Sequence, residues 1–181
     1  CTVRPIREVR VWGRRLERAE ALLAKLPLPP GVQGRAVADA RAAMEGADVL
    51  CTTTSAAEPF LRGEWLQPGQ HVNLVGSAVP TTAEADPECV RRARYFVDSR
   101  SAAASEAGEL KAAIAAGLVG PEHVLGEIGD VLDGRLAGRT SPADVTLYKS
   151  LGFAAQDLAA AWCAHGNATR RGLGRRLDLS A

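Results

Sequence analysis

Trp12-Gly13-Arg14-Arg15 is the stretch in which residue type and spacing most directly imply chemistry. Two guanidinium groups follow a glycine, and each offers a planar fork of donors that can grip a phosphate through paired hydrogen bonds. Ile6 to Trp12 (IREVRVW) alternates into a short β-branched run and reads as a strand, which Gly13 ends. The arginines therefore stand at a strand's carboxyl tip, where a helix begins. On spacing alone two readings stay open: a phosphate clamp, or a solvated basic helix start.

Other arrangements offer less. His71, His123 and His165 are too dispersed for a recognisable metal site, and His71 reads as a strand-end residue. No G-x-S-x-G elbow supports a serine hydrolase. Glu127 and Asp130 lie three apart on an expected short helix, but a solvated helix face explains them better than a carboxylate pair. Cys1, Cys51, Cys89 and Cys163 are scattered with no CxxC pair, which argues against a disulfide framework or zinc site and fits reduced thiols in a cytosolic setting.

The elements that must position these residues follow from periodicity. Arg15 to Leu26 carries Leu16, Ala19, Leu22, Leu23 and Leu26 at helical spacing, and Pro27, Pro29 and Pro30 stop it. Gly34 to Ala38 is a second strand, and Asp39 caps a helix running to Glu45. Ala47 to Thr53 is an apolar run without alternation, as expected for a strand buried on both faces of a parallel sheet. His71 to Val75 and Tyr95 to Val97 are further strands, with helices near Ala83–Ala93 and Ser101–Ala116 between and after them. Strands alternating with helices predict an α/β fold with a parallel sheet. Val124 to Leu132 reads as a short helix, Gly134 to Pro142 as a polar loop, and Val145 to about Cys163 as a long amphipathic helix. The basic, Gly-rich stretch from Thr169 to Arg176 is expected to fray.

Bulk composition agrees. The 181 residues are 46% hydrophobic and 24% charged, an ordinary balance for a chain able to bury a core. Aromatics make up only 4%, which favours close helix–sheet association over an aromatic-rich sandwich. A net charge of +1 leaves no basic excess for a phosphate backbone, so no nucleic-acid partner is expected. No apolar run reaches the roughly 20 residues of a membrane span, no signal peptide opens the chain, and the first residue is Cys1 rather than Met.

A dinucleotide-binding half normally opens with a strand, a G-x-G-x-x-G turn and a helix, so that backbone N–H groups receive a pyrophosphate. No such turn precedes Ile6. Taking Ile6–Trp12 as the second strand of such a half gives its tip a meaning: an acid there bonds the ribose 2′-hydroxyl, and arginine accepts a 2′-phosphate. The tip has no acid, so the functional reading of the corner is a preference for NADP(H), with NAD(H) possible.

Six segments sharpen that reading. Val9-Arg10-Val11-Trp12-Gly13-Arg14, Gly46-Ala47-Asp48-Val49, Glu58-Pro59-Phe60-Leu61, Gly69-Gln70-His71-Val72-Asn73-Leu74-Val75-Gly76-Ser77, Val97-Asp98-Ser99-Arg100 and Tyr148-Lys149-Ser150-Leu151-Gly152 occur in one order. In that order and spacing the chain, over roughly residues 1 to 163, resembles the ornithine cyclodeaminase/mu-crystallin family. The resemblance implies a Rossmann domain inserted in a dimerisation and substrate domain, with the helix from Val145 as the returning C-terminal helix. It assigns residues 1–143 to an incomplete Rossmann domain and 144–181 to the helix and tail of the other. It implies that Gly13, Arg14, Arg15 and Arg18 hold the 2′-phosphate of NADP(H). Thr54 and Ser55 lie beside the cofactor, Val75 and Gly76 end a strand near the nicotinamide, Ser150 contacts the nicotinamide side, and Glu106 faces the substrate pocket. Gly76 carries the best case, since a glycine at a strand's carboxyl end permits close approach of backbone to ligand.

The implied activity is reduction of an imino acid, or the reverse amino-acid oxidation, in a cytoplasmic homodimer. A hormone-binding protein without turnover, or an ornithine cyclodeaminase, are the alternatives. Cyclodeaminating members carry an aspartate two residues after the glycine matching Gly76, where this chain has Ala78. The family's substrate arginines and catalytic lysine precede the glycine-rich turn, so no catalytic residue is assigned, and Lys111 and Lys149 do not match that lysine. The expectation is a sheet of order 3-2-1-4-5-6 whose central first strand is missing, leaving two unpaired edges. Such a chain is expected to bind NADPH weakly or not at all.

Overall fold

The computed structural model describes residues 3–175 and 177. In chain order they form β1 (Glu8–Trp12), α1 (Leu16–Leu23), β2 (Gln33–Val37), α2 (Ala40–Met44), β3 (Val49–Thr52), β4 (His71–Leu74), α3 (Pro87–Arg92), β5 (Arg94–Val97), α4 (Arg100–Glu106), α5 (Gly108–Ala115), β6 (Val124–Glu127), α6 (Ile128–Leu132), β7 (Thr146–Lys149) and α7 (Ala154–Arg170). Short polar side chains start several helices. Asp39 accepts from the Ala42 amide, Asp86 from Cys89 and Ser99 from Ala102, each meeting one of the unpaired N–H groups of a first turn.

The strands form two separate parallel sheets. One pairs β1 with β2, from Glu8 opposite Gln33 to Trp12 opposite Val37. The other has the order β3-β4-β7-β5-β6. Its core side chains include Val72, Leu74, Tyr95, Val97 and Leu147, all fully buried, with Val90, Ala103 and Ala113 packed from the helices. All strand pairs being parallel, the strand carboxyl ends gather at one edge, where an α/β sheet presents its ligand crevice.

Several sequence expectations are corrected. The long helix expected from Val145 begins only at Ala154, because Thr146–Lys149 is β7, hydrogen-bonded between β4 and β5. Thr146 and Leu147 fill a central strand, where burial on both sides outweighs helical spacing. Val124–Glu127 is likewise strand β6, with the helix confined to Ile128–Leu132. Finally, β3 is not buried on both faces: Leu50 and Thr52 point inward while Val49 and Cys51 are exposed, since β3 is the outermost strand of its sheet. The stretch expected as one helix from Ser101 to Ala116 is two, broken at Ala107. Helix α7 continues through Thr169 to Arg170; Arg176 lies outside the described residues.

Residues Cys1–Leu151 and Gly152–Ala181 are two compact units. The second is built on α7, on which Leu158 and Trp162 are exposed. Among the described residues no helix is long and apolar enough to cross a membrane, and no group of three or more His, Cys, Asp or Glu side chains is placed to hold a metal ion.

Candidate active site

Gly13 ends β1, and the space a side chain would take there is open. Arg14, Arg15 and Arg18 are all exposed where α1 begins, with Arg15 3.8 Å from Glu17. At the tip of β3, Thr54 and Ser55 are exposed. Val75 is exposed after β4, and Ser150 is half-buried after β7. The structure thus puts the arginines beyond β1 and the other candidates on loops following β3, β4 and β7. Glu106 is exposed at the C-terminal end of α4; among the described residues no hydrogen bond links it to those loops.

Gly76 is explained by protein contacts. A Cβ there would lie 2.0 Å from the Thr54 carbonyl oxygen and 2.5 Å from Glu84 Oε1, distances no side chain tolerates. The glycine lets the loops after β3 and β4 touch. The amides of Val75 and Gly76 donate to Thr52 O, and the Ser77 amide donates to Thr54 O at 3.1 Å. Ser77 is held at φ 53°, a left-handed conformation uncommon outside glycine, with its hydroxyl donating to Ala56 O at 3.0 Å.

Beneath these loops lies a charged cluster that sequence reasoning missed. Lys149, on central strand β7, is fully buried and donates from Nζ to Gly76 O at 2.6 Å and to Ser77 O at 2.9 Å. Nζ also lies 3.7 Å from Glu109 Oε2, and Glu109 is fully buried too. Glu109 Oε1 accepts from the Glu84 amide at 3.0 Å. The buried Glu84 carboxylate accepts from Thr52 Oγ1 at 2.6 Å and from the Thr54 amide at 2.5 Å. On the other side of β7, Asp98 accepts from the Leu151 amide at 2.6 Å and from Ser150 Oγ at 3.4 Å. One chain of contacts therefore ties the β3, β4 and β7 loops together.

Burial pushes the Glu109 carboxyl above its usual range against the opposing pull of Lys149. It also pulls Lys149 below the ordinary lysine range, opposed by Glu109 and Glu84. Tyr95 is raised by burial, and its hydroxyl and Glu109 Oε2 are the buried side-chain atoms without a hydrogen-bond partner among the described residues. A lysine interrupting the Thr-Leu-Tyr-Lys strand was the available signal, but its carboxylate partners lie far away in sequence.

His71 is a strand-end residue, with Nδ1 2.8 Å from Thr146 Oγ1 and Nε2 3.2 Å from Asn73 Oδ1. Glu127 accepts from the Arg100 amide, while Asp130 pairs with Arg135 at 2.8 Å.

Three similarities give this geometry a family. Mouse ketimine reductase mu-crystallin is 39% identical over 157 residues, covering 86% of this chain and 45% of that protein. The solved Delta(1)-pyrroline-2-carboxylate reductase of Thermococcus litoralis, in complex with NADH and L-proline, superposes with a TM-score of 0.91 at 30% identity, over 98% of this chain and 55% of that one. The iminosuccinate reductase of Paracoccus denitrificans, in complex with NAD+, gives a TM-score of 0.83 at 31% identity, over 98% and 54%. The chain spans about half the length of the curated relatives it matches. Residues 1–172 match the sequence model of the ornithine cyclodeaminase/mu-crystallin family, a Rossmann-like group, and the chain belongs to that family.

Proposed function

We propose that this chain forms the cofactor-holding part of an NADP(H)-dependent reductase of imino acids. The carrying observation is the corner after β1, where exposed Arg14, Arg15 and Arg18 follow an unobstructed Gly13 and no acid closes the strand. The two solved relatives above carry NADH or NAD+, so the preference for NADP(H) rests on this corner alone. In this reading Thr54 and Ser55 lie beside the cofactor, Val75, Gly76 and Ser150 border its nicotinamide end, and Glu106 faces substrate. The cofactor, when bound, supplies hydride. The chain's residues hold its extra phosphate and fix the loops on which the reacting ring would lie.

A reductase is favoured over a cyclodeaminase because the exposed residue following Ser77 is Ala78, which can neither move a proton nor bond an ammonium group. A homodimer and a cytoplasmic setting complete the reading. The exposed Leu158 and Trp162 of α7 support the first, and cysteines without a CxxC pair support the second. The sheet also lacks its central strand and pyrophosphate turn in this reading, so residues 1–181 alone bind NADPH weakly. The test supplies the full-length protein with NADPH and a panel of cyclic ketimines, and of 2-oxo acids with amines. Consumption of NADPH faster than of NADH is expected. No consumption with any substrate refutes the reductase, and faster use of NADH refutes the preference.

A further inference from the structure

Lys149 stands opposite Leu74 of β4 and Val97 of β5, on the strand between them. From there its Nζ reaches past the end of β4 and donates to two consecutive carbonyls, Gly76 O at 2.6 Å and Ser77 O at 2.9 Å. Along an extended strand successive carbonyls point opposite ways. Here they share one side because Ser77 turns left-handed, with φ 53°. Such a conformation persists in a residue other than glycine only where its surroundings hold it. Glycine at 77 would take the turn without strain, and apolar side chains would fill the core at least as well as the buried Lys149–Glu109 pair. Closing a core calls for neither the strained serine nor the cation.

The two inward carbonyls fix what the same peptides show on their other side. No peptide bond among the described residues is cis, and in a trans peptide the N–H points opposite to the C=O. The Gly76–Ser77 peptide spends its N–H on Thr54 O at 3.1 Å. The Ser77–Ala78 peptide turns its N–H away from Nζ, and that N–H has no acceptor among the described residues. Ala78 is exposed, at the carboxyl edge of the sheet where the loops after β3 and β7 also lie. A carbonyl that accepts from a cation polarises its peptide and strengthens the opposite N–H as a donor. One strengthened, unspent donor is thus presented at the crevice.

We propose that Lys149 is a positioning residue for hydride transfer: it holds the β4 loop so that the Ala78 N–H donates to the carboxamide oxygen of a bound nicotinamide. The inference rests on the reductase reading above, in which Val75 and Gly76 border the nicotinamide. An amide oxygen is the acceptor that a nicotinamide ring carries, and one bond to it restrains the ring's rotation, which aligns the reacting atoms. Lys149, fully buried, acts only through the backbone it holds.

The experiment uses the full-length protein, with Lys149→Met combined with Glu109→Gln so that Glu109 is not left charged without its partner. Without ligand, hydrogen exchange at the Gly76 and Ser77 amides is expected to quicken about tenfold or more in the variant. Titration is expected to show NADPH bound about three- to tenfold more weakly, the worth of one hydrogen bond. The same titration with 2′-phospho-ADP-ribose, which lacks the nicotinamide, is expected to match the wild type. Turnover at saturating NADPH and ketimine is expected to fall about tenfold or more. Equal weakening of both ligands shows a merely structural role and overturns the proposal, as does unchanged exchange, NADPH affinity or kcat. Should the methionine variant not melt cooperatively, Lys149→Gln with Glu109→Gln, whose amide serves one of the two carbonyls, takes its place in the same readings. A wild type that binds both ligands but consumes no NADPH with any ketimine refutes the reductase reading, and the paired titrations still decide the contact to the carboxamide.

Discussion

Replacing Lys149 by methionine keeps an unbranched stem and removes the cation that joins three loops. The variant loses the donations from Nζ to Gly76 O at 2.6 Å and Ser77 O at 2.9 Å, and the ion pair with Glu109 at 3.7 Å. Both side chains are fully buried, so solvent cannot take over the charge left on Glu109. Removing one partner of a buried ion pair costs about 3–5 kcal/mol, a large share of a total stability of about 5–15 kcal/mol. The cost depends on pH. Burial already raises the folded Glu109 carboxyl above its usual range, and Lys149 is the main opposing influence. Without the lysine the carboxyl rises further. A folded acid whose pKa exceeds its unfolded value holds a proton that the unfolded chain releases, so stability is lost as pH climbs from the ordinary carboxylate range to the raised value. Urea unfolding followed by circular dichroism should therefore show a deficit of about 3–5 kcal/mol at pH 8 that shrinks by about 1 kcal/mol or more at pH 5.5. Adding Glu109→Gln should recover much of the deficit at pH 8 and abolish its pH dependence, since a neutral amide can still accept from the Glu84 N–H. An equal deficit at both pH values, or further loss in the double variant, refutes the reasoning.

Gly76→Ala places a methyl 2.0 Å from Thr54 O; thermal melts should show a loss of about 1–3 kcal/mol or more from overpacking, because backbone must move apart. Arg14→Ala combined with Arg15→Ala in the full-length protein should weaken NADPH about tenfold to hundredfold while sparing NADH, since a charged hydrogen bond to phosphate is worth about 1.5–3 kcal/mol; parallel titrations of the two cofactors check this. Asp39→Ala removes the acceptor for the Ala42 amide at 3.1 Å and should cost about 1 kcal/mol, read from denaturant midpoints.

The sequence by itself determined most of the secondary structure, the α/β class and the family. Apolar runs such as His71–Val75 and capped helices such as the one after Asp39 are local signals that survive without tertiary context. The guanidinium corner was also legible, because strand, glycine and arginines are adjacent in the chain. Tertiary structure alone decided β7. Thr146–Lys149 lies in a stretch whose apolar spacing suits a helix, and only the opening between β4 and β5 makes it a strand. It also decided what Gly76 is for, since the Thr54 backbone that excludes a side chain there is more than 20 residues away in sequence. The Lys149, Glu109 and Glu84 cluster was invisible for the same reason. Charged residues read as surface until a fold removes their water, and it is then distance in space, not in sequence, that fixes which charges meet.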